Sequence, residues 1–160
     1  MTQTLQGVLQ QVAKIAGGGA AANTVGKWTG GGGITGVNAA WDRPPDSIQD
    51  DKTLVCFPQD GEFRSPHDEK FLMTLPHTFE VAFFLEKASA SLEQQVGALL
   101  PYLERFQTAY AKKVTLNGAC EEFWLASYRM GARVYAGTTY VALSFVCHAV
   151  TVDTSTIFAA

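Results

Sequence analysis

Apolar residues recur along this chain with two periods, and the switches between them outline a fold. In residues 4–16, TLQGVLQQVAKIA, Leu5, Val8, Leu9, Val12 and Ile15 share one stripe at helical spacing. Thr4 can cap that helix and Gly17 can stop it. Residues 34–41, ITGVNAAW, read as a strand ended by DRPPDS, because neither proline can donate to a ladder. TLVCFP at 53–58 is wholly apolar, as expected of a strand covered on both faces. TFEVAFFLEK at 78–87 alternates, with Phe79, Val81, Phe83 and Leu85 on one side.

The helical period returns at Ser91, which with Gln94 forms a Ser-x-x-Gln capping box. Leu92, Val96, Leu99, Leu100, Leu103, Phe106 and Tyr110 fall on one side of the helix it opens. Pro101 removes a ladder hydrogen bond, so a kink or two short helices are expected, the second starting near Pro101. VTLNGACEEFWLASYRMG then reads as strand, Asn-Gly turn or bulge, strand. In TTYVALSFVCHAVTV (138–152), a long strand, Tyr140, Ala142, Ser144, Val146 and His148 oppose Val141, Leu143, Phe145, Cys147 and Ala149.

Between the strands, residues 59–77 carry Gly61, Pro66 and Pro76 among mixed charges, which predicts a hairpin arm projecting from the body. Residues 153–160 form a tail. The expected architecture is one α+β domain over 1–160. It has a single mixed or mostly antiparallel sheet of four to five strands, one long helix and a short N-terminal helix packed on it, and the extended arm.

The stretch GGGAAANTVGKWTGGGG (17–33) invites a nucleotide-site reading and fails it. A Walker A loop needs glycine, four residues, then Gly-Lys-Ser/Thr, yet Ala21 stands at the first glycine and Trp28 at the hydroxyl. A Rossmann loop fails too, since no strand precedes the glycines. The sequence reading is a flexible linker, or a surface that orders on assembly.

Composition narrows the classes further. The 160 residues suit one domain, and 17% charged against 47% hydrophobic residues favours a protein that hides surface against partners. With 12 Lys+Arg against 15 Asp+Glu and no basic cluster beyond Lys112-Lys113, an electrostatic nucleic-acid footprint is missing. Cys56, Cys120 and Cys147, each among apolar neighbours, read as buried hydrophobes in a reducing compartment. No signal-peptide pattern and no membrane-length apolar run occurs, so a soluble protein, intracellular where it is made, is expected.

Catalytic signatures are scarce. Asp50-Asp51, Asp68-Glu69 and Glu121-Glu122 read as solvated charge, and His67 and His77 as surface or turn residues. His148 reads as a half-buried sheet residue. An enzyme would require a pocket of displaced pKa values around Glu62, His67 and His77. No metal or cofactor is called for. Trp28 and Trp41 are candidate anchors for a protein contact.

The order of pieces, with AWDRPPDSI (40–48), TLVCFP, VTLNGACEEF (114–123) and the aromatic-rich YAGTTYVALSFVCHAV, resembles the tail terminator, or head–tail joining, proteins of long-tailed bacteriophages. The resemblance spans roughly residues 34–152. It implies a non-enzymatic virion protein of the tail or neck, assembled in the host cytoplasm. Such a protein forms a ring of copies of itself, commonly sixfold, on the tail tube protein, and faces the head completion or connector proteins. DNA would pass through the channel without specific binding, and no membrane is involved. The candidate contact residues are then Trp28, Trp41, Asp42 and Arg43, together with Glu62, Phe63, Arg64, His67, Asp68, Glu69 and Lys70 of the arm. A stopper or adaptor ring, a minor tail protein and an α+β interaction module outside phages are the alternative readings.

Overall fold

The computed structural model describes residues 3–19, 26–61 and 73–153. Thr4 opens the first helix as its position predicts: its backbone is extended and its hydroxyl accepts the Gly7 N–H at 3.0 Å. The resulting helix α1 (Leu5–Gly17) buries Val8, Leu9, Val12, Ala13 and Ala16, and ends where Gly18 turns to φ 74°. Then follow β1 (Lys27–Trp28), β2 (Ala39–Trp41), β3 (Thr53–Gly61) and β4 (Met73–Lys87). Two helices, α2 (Leu92–Gly97) and α3 (Leu100–Ala111), lead to β5 (Glu122–Tyr135) and β6 (Thr138–Asp153).

The fold is α+β, built on a single mixed sheet with the helices packed on it. Its strand order is β1-β2-β3-β4-β6-β5, parallel only between β2 and β3. Among the described residues there are six strands where four to five are expected. The predicted strand 34–41 keeps only its last three residues, and β1 pairs with Ala40 and Trp41. The helix-side core joins Leu54, Cys56, Phe79, Val81, Phe83, Leu85, Val141, Leu143, Phe145 and Cys147 to α1 and α3. Phe106 sits within it, its ring 5.3 Å from Phe83 and 5.6 Å from Phe145.

A second, smaller core lies on the other face of the sheet. The chain after β2 folds back over it, so Trp41, Ile48, Phe57 and Tyr135 pack on Val55, Ala82, Phe84, Tyr140 and Ala142. Tyr140 reaches the Ile48 carbonyl, and the Tyr135 hydroxyl donates to that of Pro45. This cover is why TLVCFP carries no polar residue after Thr53, whose hydroxyl donates to the Asp50 carbonyl at 2.7 Å.

Other expectations need correction. Ser91 sits at the N-cap of α2 but its side chain makes no cap bond. Gln95 instead ties the helix to the turn before it, accepting the Ser89 N–H and donating to Glu86 and the Lys87 carbonyl, each at 3.0 Å. As Pro101 predicts, the helix is interrupted between α2 and α3, with Pro101 in the first turn of the second. That break shifts the phase of the stripe. Tyr102, Phe106 and Tyr110 become its buried face, while Leu92 and Leu100 are 36% and 55% exposed.

VTL (114–116) is not a strand. Residues 114–119 form turns, with Leu116, Asn117 and Gly118 at positive φ and Leu116 driven fully into the core. A two-residue hairpin at Ala136-Gly137, both at positive φ, joins β5 to β6.

Part of the supposed linker is packed. Gly18 bridges Gly31, and the Ile34 N–H donates to the Ala16 carbonyl at 2.9 Å. A Cβ on Gly33 would stand 2.7 Å from the Gly18 nitrogen, closer than real contacts allow. Residues 20–25 lie outside the described part. Both ends of the span expected as an arm are strand: β3 runs to Gly61 and β4 starts at Met73, so His77 and Pro76 belong to a strand. The candidates Glu62, Phe63, Arg64, His67, Asp68, Glu69 and Lys70, and the tail 154–160, lie outside the described residues.

Candidate interaction surface

The four candidate contact residues that can be placed lie together, at the β1–β2 end of the sheet. Asp42 is only 5% exposed and takes two bonds, from Trp28 Nε1 at 3.2 Å and Arg43 Nε at 2.8 Å. Trp28 also packs on the main core, and Trp41 lies under Lys27, whose Nζ is 5.8 Å from its ring. Lys27 is in turn held by Asp50 at 3.0 Å. These side chains satisfy one another, and the indoles are half-buried. The cluster holds the short edge strands in place; it is not a set of free anchors.

The open surface is elsewhere. Among the described residues, strand β5 has β6 on one side and no strand on the other, so 14 residues present an unpaired ladder edge. Among the described residues, the exposed large hydrophobics are Leu92, Leu100, Val114, Trp124, Tyr128 and Val134. Three lie on β5 itself, and the others lie on α2, on α3 and just after α3, the helical segment that packs beside it. Next to the edge, a hollow of about 350 Å³ is lined by Tyr110, Val114, Phe123, Trp124 and Leu125.

A bulge between Leu125 and Ser127 changes which way β5 faces. Before it, Glu122 and Trp124 point away from the helices, opposite Val150 and His148; after it, Ser127 and Arg129 do so, opposite Val146 and Ser144. Arg133 also lies on that face. It pairs with Glu80 at 2.5 Å, donates to Ser144 Oγ at 3.1 Å, and stacks 4.7 Å from the Phe57 ring. With small residues Gly131 and Ala142 beneath, Arg129 and Arg133 wall a notch of about 420 Å³.

Sequence reading missed this surface. One signal was available: charged residues and a glycine inside a strand mark an edge. Glu122, Arg129, Arg133 and Gly131 supply both.

Among the described residues, the titratable groups with displaced pKa values are displaced by burial. Burial pushes the Cys56 and Cys147 thiols well above their usual range, and the Cys120 thiol up to about 11, which disfavours thiolates. Burial lowers His77, whose Nε2 lies 2.8 Å from Thr151 Oγ1. His148 is half-buried, with Nδ1 3.1 Å from Thr78 Oγ1 and its ring 5.2 Å from Trp124. Among the described residues no group of three or more His, Cys, Asp or Glu could hold a metal ion, and no helix is long and apolar enough to cross a membrane. In comparison with known proteins, the chain matches no protein-family model and no curated protein.

Proposed function

We propose that this chain is a structural subunit that acts as a ring of identical copies at the head-proximal end of a phage tail. There it ends growth of the tail tube and joins it to the head connector, leaving a channel for DNA. One observation carries the assembly part of this reading: a 14-residue open sheet edge flanked by all the large exposed hydrophobics among the described residues. An edge of that length is a template for another chain, and left bare it invites aggregation. The virion setting comes from the sequence resemblance. A cyclic ring needs two different patches per subunit and closes at a fixed number.

The test is direct. Purified protein is added below stoichiometry to polymerising tail-tube subunits, and the products are imaged by electron microscopy. Tubes stopped short, with a ring of density at one end, support the reading. Tubes of unchanged length with bare ends overturn it.

A further inference from the structure

We propose that in the free protein the β5 edge pairs with the β5 edge of a second copy, antiparallel, about a twofold axis between Leu125 and Ala126. The inference goes beyond the ring reading, since it concerns the subunit before it meets a tube.

The bulge is what makes this register possible. Residues directly opposed in an antiparallel pair share a face. A regular strand paired with itself must therefore oppose residues of like parity. In β5 the parity reverses at the bulge, so residues before it match the face of residues after it. An axis at the bulge sets Glu122 of each copy opposite Arg129 of the other, Phe123 opposite Tyr128, and Trp124 opposite Ser127. Every pair shares a face: Glu122, Trp124, Ser127 and Arg129 point away from the helices, and Phe123 and Tyr128 toward them.

Charge and shape both fit a second copy. Glu122 and Arg129 are exposed, and neither has a salt-bridge partner among the described residues. The twofold axis makes the pair twice. Tyr128 is 55% exposed among the described residues, and opposite Phe123 it meets the hollow lined by Tyr110, Val114, Phe123 and Leu125. The same knob and hole recur across the axis, as an isologous contact requires. A rival axis at Gly131 would oppose Arg129 to Arg133 and repel. Closing the edge this way protects it until a tube end displaces the second copy.

Light scattering and sedimentation at micromolar concentration provide the test. We expect a species of twice the 17.3 kDa chain mass. Arg129→Glu or Glu122→Arg alone sets like charges opposite each other twice and weakens the dimer about tenfold or more. The double reversal restores it. Circular dichroism checks the fold of each variant, and Tyr128→Ser, which empties the hollow without touching charge, weakens the dimer independently. A monomer, a dimer indifferent to the reversals, or a ring formed with no dimer overturns the inference. The last of these leaves the ring reading standing, whereas a dimer that obeys the charge swap beside unaffected tubes sinks the ring reading alone.

Discussion

Gly33→Ala separates a packed glycine stretch from a flexible one, because the two readings differ in sign. If residues 17–33 were a linker, alanine would restrict the unfolded chain and stabilise the protein by about 0.4–1 kcal/mol. In the structure, a Cβ at Gly33 falls 2.7 Å from the Gly18 nitrogen and 2.8 Å from the Ala16 carbonyl carbon. Gly33 is not among the positive-φ residues, so the effect is steric alone. Ordinary Cβ contacts begin near 3.4 Å, and the obstructing atoms are backbone, so either the end of α1 or the loop must move by well over half an ångström. Overpacking of this kind costs about 1–3 kcal/mol. The movement also breaks the Ile34 to Ala16 hydrogen bond, adding about 1 kcal/mol.

Less the unfolded-state gain, the net loss is about 1–3.5 kcal/mol, a fall in Tm of roughly 3–12 °C for a chain of this size. Thermal and urea unfolding followed by circular dichroism measure it. Gly31→Ala is the control. Nothing lies within 4 Å of its Cβ, but its φ of 83° carries a left-handed penalty of about 1–2 kcal/mol. A Gly33→Ala variant as stable as the parent, or more stable, refutes the packing argument.

Two further outcomes follow from burial. His77 has its pKa lowered by desolvation, so the unfolded chain binds its proton more readily than the fold does. Its contribution is fully present above the unfolded value of about 6.5, is lost as pH falls through that value, and levels off below the folded one. His77→Gln should flatten this part of the urea stability–pH curve, and an unchanged slope would show that another group is responsible. The three thiols should resist a thiol reagent at mildly alkaline pH until the protein unfolds, then all react. Rapid labelling of the native protein would contradict their burial.

Period carried most of the fold. Residues Phe79, Val81, Phe83 and Leu85 and residues Val141, Leu143, Phe145 and Cys147 line the main core as their alternation predicts, and so does the α1 stripe. What local pattern could not reveal depends on contacts far apart in sequence. Leu116 looks like a strand residue, yet a turn at positive φ delivers it to the core. Leu100 looks like a core residue, yet the break before it turns it outward. The hairpin at Ala136-Gly137 lacks the asparagine that usually marks such a turn, which hid the far end of β5.

The candidate surface was hidden for the same reason. Whether a strand is an edge depends on sheet order, and here β6 inserts between β4 and β5 although β5 precedes it in the chain. The two tryptophans drew attention because large aromatics anchor contacts, but Asp42 ties one to the sheet and Lys27 covers the other. On β5 the informative residues are of mixed type, and the bulge at Ala126 breaks the alternation that would have grouped them. That irregularity, which obscured the strand in the sequence, also gives Glu122 and Arg129 a common face. A regular β5 would set them on opposite faces, and the self-pairing proposed for the free protein would have no charge to hold its register.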